Sequence, residues 1–130
     1  MRYLCISPIG LSLFIVPRLC ASADVEKVYF CTLEPSSKDN GKGMEEFPGW
    51  EKLEVVTQYM KIINENKPSD LIVFIDDVGI GEIGANLRKQ GYRVIGGSPF
   101  TDKIEDARQY ATDLMSRIMN VPVVLLVNVP

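Results

Sequence analysis

Apolar positions along this chain follow two rhythms in alternation. Short runs rich in β-branched and aromatic residues, Tyr3–Ile6, Lys27–Leu33, Leu71–Ile75 and Tyr92–Ile95, have the length and composition of strands. The stretches between them carry apolar residues at helical spacing. A helix is predicted from about Leu11 to Ser22, with Pro17 an oddity inside it, and another over Gly81–Gln90, closed by Gly91 as the first residue past its end. Glycine suits that place because it enters the left-handed region cheaply. Thr101–Met119 is the longest helical pattern, with Ile104, Ala107, Ala111, Leu114, Met115 and Ile118 spaced for one buried face. Trp50–Asn66 is helical in part, grouping Val55, Val56, Tyr59, Met60, Ile62 and Ile63 before Pro68 stops it, but Trp50–Val55 reads equally as a short strand. Val121–Val129 is a last strand-like run, while Ser36–Gly49 has no hydrophobic period and reads as a long surface loop.

Strands alternating with helices imply parallel pairing through right-handed crossovers. The expected fold is therefore a three-layer α/β/α domain built on a mainly parallel, Rossmann-like sheet. A chain of 130 residues with 46% hydrophobic content suits one such core and is too short for two full domains.

Charge narrows the partners. Fourteen Lys and Arg against 17 Asp and Glu leave a net charge of −3, with no basic block for nucleic acid or for an anionic membrane surface. Histidine is absent, which removes the commonest general base and metal ligand near neutral pH. Cys5, Cys20 and Cys31 are odd in number and widely spaced, so they read as buried, reduced thiols of a cytoplasmic protein rather than a zinc motif or disulfide framework. Residues 1–23 also imitate a secretory signal, with Arg2, the apolar run Tyr3–Val16 and Cys20-Ala21-Ser22-Ala23 before Asp24. Pro8, Gly10 and Arg18 weaken that imitation and favour a first strand and helix instead.

In open parallel sheets, ligands bind outside the carboxyl ends of the strands. Three turns belong to that edge. Ser7-Pro8-Ile9-Gly10 could offer helix amides to a phosphate, although Pro8 removes one donor. Asp76-Asp77-Val78-Gly79 places two carboxylates past a strand; the expectation is that one meets a ligand amine or hydroxyl while the other caps the helix at Gly81. Gly96-Gly97-Ser98-Pro99 combines glycines that permit close backbone approach with Ser98 as cap and Pro99 as first helical residue. A fourth turn follows Lys27–Leu33 and holds Gly41-Lys42-Gly43; it lacks the frame of a Walker A loop.

Several segments together resemble a known family. Val25-Glu26-Lys27-Val28-Tyr29, Asp70-Leu71-Ile72-Val73, the Leu87-Arg88-Lys89-Gln90-Gly91-Tyr92-Arg93-Val94-Ile95-Gly96-Gly97-Ser98 stretch, and Ile104-Glu105 with Arg108, Tyr110 and Asp113-Leu114-Met115 occur in an order and spacing similar to the N-terminal domain of phosphoribosylamine–glycine ligase and its phage-type ATP-grasp relatives. The resemblance implies a pre-ATP-grasp domain over residues 1–120, with 121–130 a further strand or a linker cut short before the ATP-grasp domain. It implies ATP-dependent joining of a carboxylate to an amine in purine biosynthesis, through an acyl phosphate. This domain would present the amine or phosphoribosyl acceptor, and would be inactive alone. Gly10, Lys42, Asp76, Asp77, Gly79, Gly96, Gly97 and Ser98 would line the substrate site, and Arg108 would stand at the entry to the nucleotide. ATP and Mg²⁺ would be held by the other domain, so no catalytic or metal-binding residue is expected in this chain.

Two departures matter. The family has several glycines and a basic residue in the first turn, where only Gly10 remains here, and it has a Gly-Pro-Glu-like sequence where Asp76-Asp77-Val78 stands. The rival expectation is a stand-alone binding or interaction module without catalysis, including one of viral origin. A homodimer formed through 121–130 would belong to such a protein.

Overall fold

The computed structural model describes residues 1–33 and 47–120. In chain order these form β1 (Arg2–Ser7), a 3-10 turn (Leu11–Phe14), α1 (Val16–Ala21), β2 (Lys27–Thr32), a 3-10 turn (Trp50–Lys52), β3 (Leu53–Val56), α2 (Tyr59–Glu65), β4 (Leu71–Ile75), α3 (Gly81–Lys89), β5 (Arg93–Ile95), α4 (Pro99–Asp106) and α5 (Arg108–Met119). The strands make one parallel sheet in the order β3-β2-β1-β4-β5, so the protein is a three-layer, Rossmann-like α/β/α domain.

Alternation along the strands explains the layers. Leu4 and Ile6 of β1, with Leu71, Val73 and Ile75 of β4, point into a core closed by Ile62 and Ile63 of α2 and Leu87 of α3. The intervening Cys5, with Val28 and Phe30 of β2, points to the opposite face, against Val16 and Cys20 of α1. Tyr92 seals the first core by donating its hydroxyl to the Ile63 and Asn66 carbonyls at 2.8 and 2.9 Å. All three thiols are buried and unpaired, as the sequence implies.

β1 is the middle strand and pairs on both sides, Arg2 opposite Lys27 and Leu71, Cys5 opposite Phe30 and Phe74. Cleavage after Ala23 would remove the strand that carries both ladders. Among the described residues, no helix is long and apolar enough to cross a membrane.

Several expectations need correction. The predicted first helix is broken: a 3-10 turn precedes α1, and Pro17 falls in the first turn of α1, where its missing N–H costs nothing. The tract from Trp50 does begin with a turn and the short strand β3, so its helix starts only at Tyr59. The long helix over Thr101–Met119 is two helices, interrupted at Ala107, whose ψ of 79° is not helical. Nor is its apolar side buried: Met115 and Ile118 of α5 are 50% and 69% exposed. Gly91 closes α3 with a φ of 91°, as its position predicts. Val121–Val129 and Lys42 lie outside the described residues.

Candidate functional site at the reversal of strand order

The chain leaves β1 toward β2 and β3, then crosses to β4 on the other side of β1. Loops after β1 and β4 therefore diverge and leave a crevice between them, the usual ligand site of such sheets. An open cavity of about 710 Å³ lies there, lined by Phe14 from the β1 side, by Phe74, Ile75, Asp76, Asp77 and Val78 at the end of β4, and by Gly97, Thr101, Asp102 and Glu105 after β5.

Asp76 is fixed from below. The buried Ser7 at the end of β1 donates its hydroxyl to Asp76 Oδ2 at 2.6 Å, and the same Oγ accepts from the Gly10 amide at 2.8 Å. Asp76 Oδ1 is buried without a hydrogen-bond partner. A buried carboxylate oxygen left this way is costly, so it marks a group held for something other than stability. Its charge is felt beneath: burial pushes the Cys5 thiol up to about 12, and the Asp76 carboxylate adds to the shift. Burial also raises the Cys20 and Cys31 thiols.

Neither carboxylate of the Asp76-Asp77 pair caps α3, contrary to the sequence expectation. Asp77 Oδ1 accepts from the adjacent Val78 amide at 2.8 Å. The Gly81 amide that opens α3 is instead taken by Asp102 Oδ2 of α4 at 2.7 Å. This contact needs Gly81, since a Cβ there would lie 2.3 Å from the Ser98 carbonyl carbon. One turn later Gly84 packs under the Gly97 carbonyl, 3.1 Å from where its Cβ would be. The two glycines of α3 thus let the β5–α4 turn lie directly on the helix.

That turn is also tied down from the other side. Arg88 of α3 donates to the carbonyls of Gly97 at 2.8 Å, Gly96 at 2.7 Å and Val94 at 3.3 Å. Ser98 caps α4 with its hydroxyl on the Thr101 amide, and Thr101 Oγ1 returns the bond to the Ser98 amide, with Pro99 in the first turn as predicted. Gly96, with φ of 150°, must pass the Ile75 carbonyl, only 2.7 Å from a Cβ at that place.

Of the residues singled out from the sequence, Asp76, Asp77 and Gly97 line the cavity. Gly10, Gly96 and Ser98 shape its supports, and Gly79 sits exposed in the β4–α3 turn. Arg108 opens α5, exposed and outside the lining. Sequence reasoning missed Phe14 and Asp102, and placed Ser7 in the first turn without its bond to Asp76. Asp102 had a weak signal, an acidic residue in the first turn after Ser98-Pro99, but its partner Gly81 is a tertiary neighbour that spacing does not reveal.

No family model, curated protein or solved structure matches the chain.

Among the described residues, four carboxylates, Asp76, Asp77, Asp102 and Glu105, line the cavity, and no lysine or arginine does. Asp77 Oδ2, Asp102 Oδ1 and the Glu105 carboxylate make no hydrogen bond among the described residues. The described residues do not fit a nucleotide: the first amide of α3 is spent on Asp102, the glycine carbonyls on Arg88, and the walls are anionic. No group of three or more His, Cys, Asp or Glu among them is arranged to hold a metal ion. What the crevice can do is attract and orient a cation.

Proposed function

We propose that this chain is a small-molecule binding domain that holds an amine in the crevice between the ends of β1 and β4, as the acceptor-binding domain of an ATP-dependent carboxylate–amine ligase would. The observation that carries the reading is the cavity wall: four carboxylates with no lining cation among the described residues, one of them locked by Ser7 with its second oxygen unpartnered. An ammonium group entering there gains charge-assisted hydrogen bonds in a site partly withdrawn from water. The amine half of the family's acceptor chemistry is thereby supported over the phosphoribosyl half, because a phosphate would face the same carboxylates. In this reading the chain positions the amine nitrogen and excludes water from it, while acyl activation belongs to a separate ATP-grasp domain.

NMR titration of the chain with ethylamine and with ribose 5-phosphate tests the proposal. Ethylamine is expected to shift amides around Asp77 and Asp102, with affinity falling as salt rises. Asp77→Asn is expected to weaken it by about tenfold, the equivalent of one charge-assisted contact. Binding of ribose 5-phosphate without the amine would overturn the reading.

A further inference from the structure

The carboxylates account for only part of the cavity. Phe74, Ile75 and Val78 supply hydrocarbon walls, and Phe14 stands at the margin with 72% of its surface exposed. An exposed phenyl ring is the more informative of these, since the same 3-10 turn also contains Leu13, packed against the α1 core. The turn therefore had an inward position for an apolar side chain, and Phe14 points elsewhere. A large ring beside four carboxylates matches a cation carried on an apolar body: the ring face attracts the ammonium and the ring edge covers the body.

We infer that the ligand class of this crevice is a primary or secondary amine attached to an aromatic or bulky apolar group, without an acidic group of its own. The inference rests on the amine-binding reading and narrows it. The ammonium is attracted by the free oxygens on the wall, Asp77 Oδ2, Asp102 Oδ1 and the Glu105 carboxylate, with Asp76, sealed from water on its Oδ1 side, supplying field rather than first contact. The apolar group lies between Phe14 and Phe74. Zwitterions such as free amino acids are disfavoured, because their carboxylate would meet a wall with no cation among the described residues to receive it.

The test is an NMR titration of the wild-type chain and Phe14→Ala with 2-phenylethylamine, ethylamine, 3-phenylpropionate and ribose 5-phosphate. Phe14 is exposed enough that its loss is expected to leave the melting temperature unchanged, which a thermal scan verifies first. The expected result is that 2-phenylethylamine binds at least about tenfold more tightly than ethylamine, that Phe14→Ala removes this gap by weakening 2-phenylethylamine more than ethylamine, and that 3-phenylpropionate does not bind. Equal affinity for the two amines, or a gap that survives Phe14→Ala, overturns the inference and leaves the amine reading standing. Failure of both amines, whether or not the anions bind, overturns both.

Discussion

At Gly81 a single methyl decides whether the β5–α4 turn can rest on α3. Gly81→Ala would drive a Cβ to 2.3 Å from the Ser98 carbonyl carbon and 2.6 Å from Asp102 Oδ2, so backbone has to move. The expected cost is about 1–3 kcal/mol, read as a lower urea midpoint. Ser7→Ala acts differently, by leaving Asp76 Oδ2 and the Gly10 amide without their shared partner; a loss of about 1–3 kcal/mol is expected in the same measurement. The thiols give a pH signature. Each is raised in the folded protein, so the unfolded chain loses its thiol protons first as pH rises. Their contribution to stability is complete below about pH 8.5 and declines toward pH 12, where Cys5 titrates. Melting temperature is expected to fall across that window, and less so in Cys5→Ala measured against its own neutral-pH value. Asp76 and Asp77 were legible as candidates because they follow an apolar strand. Their roles were not, because the cap on α3 comes from a residue 21 positions away.

Among the elements, burial separates two helices that look equally amphipathic in sequence. Leu87 of α3 is 2% exposed and lies in the core against β4, whereas Ile118 of α5 is 69% exposed. Leu87→Ala is expected to cost about 2–5 kcal/mol and Ile118→Ala less than about 0.5 kcal/mol, measured by parallel urea titrations. The strands were the legible part of the fold. Leu71–Ile75 announces itself as a continuous apolar run because both its faces are covered, and β5 by its position after Gly91. The break between α4 and α5 was hidden, since Ala107 is a strong helix former and nothing local forbids a continuous helix there. Similarly, the 3-10 turn before α1 arises where Gly10 turns the chain at the end of β1, and the helical spacing from Leu11 onward gives no sign of it.

For the molecule as a whole, the anionic crevice sets which ligands can approach. Mg-ATP is expected to show no micromolar binding in isothermal titration, because its polyphosphate would meet four carboxylates and, among the described residues, no lining cation. A micromolar affinity would place nucleotide chemistry in this chain and undo the division of labour proposed above. The strand order carries a further consequence, for how the protein is made. β1 is translated before the other four strands yet sits between them, and its bond from Ser7 to Asp76 joins residues 69 positions apart. While a ribosome is still short of Leu71, β1 can pair with β2 but its other edge has no partner, an open template that a neighbouring nascent chain could join. Synthesis thus has a vulnerable interval that closes only when β4 emerges, and amides of β1 on stalled chains are expected to gain full protection from hydrogen exchange only past that point.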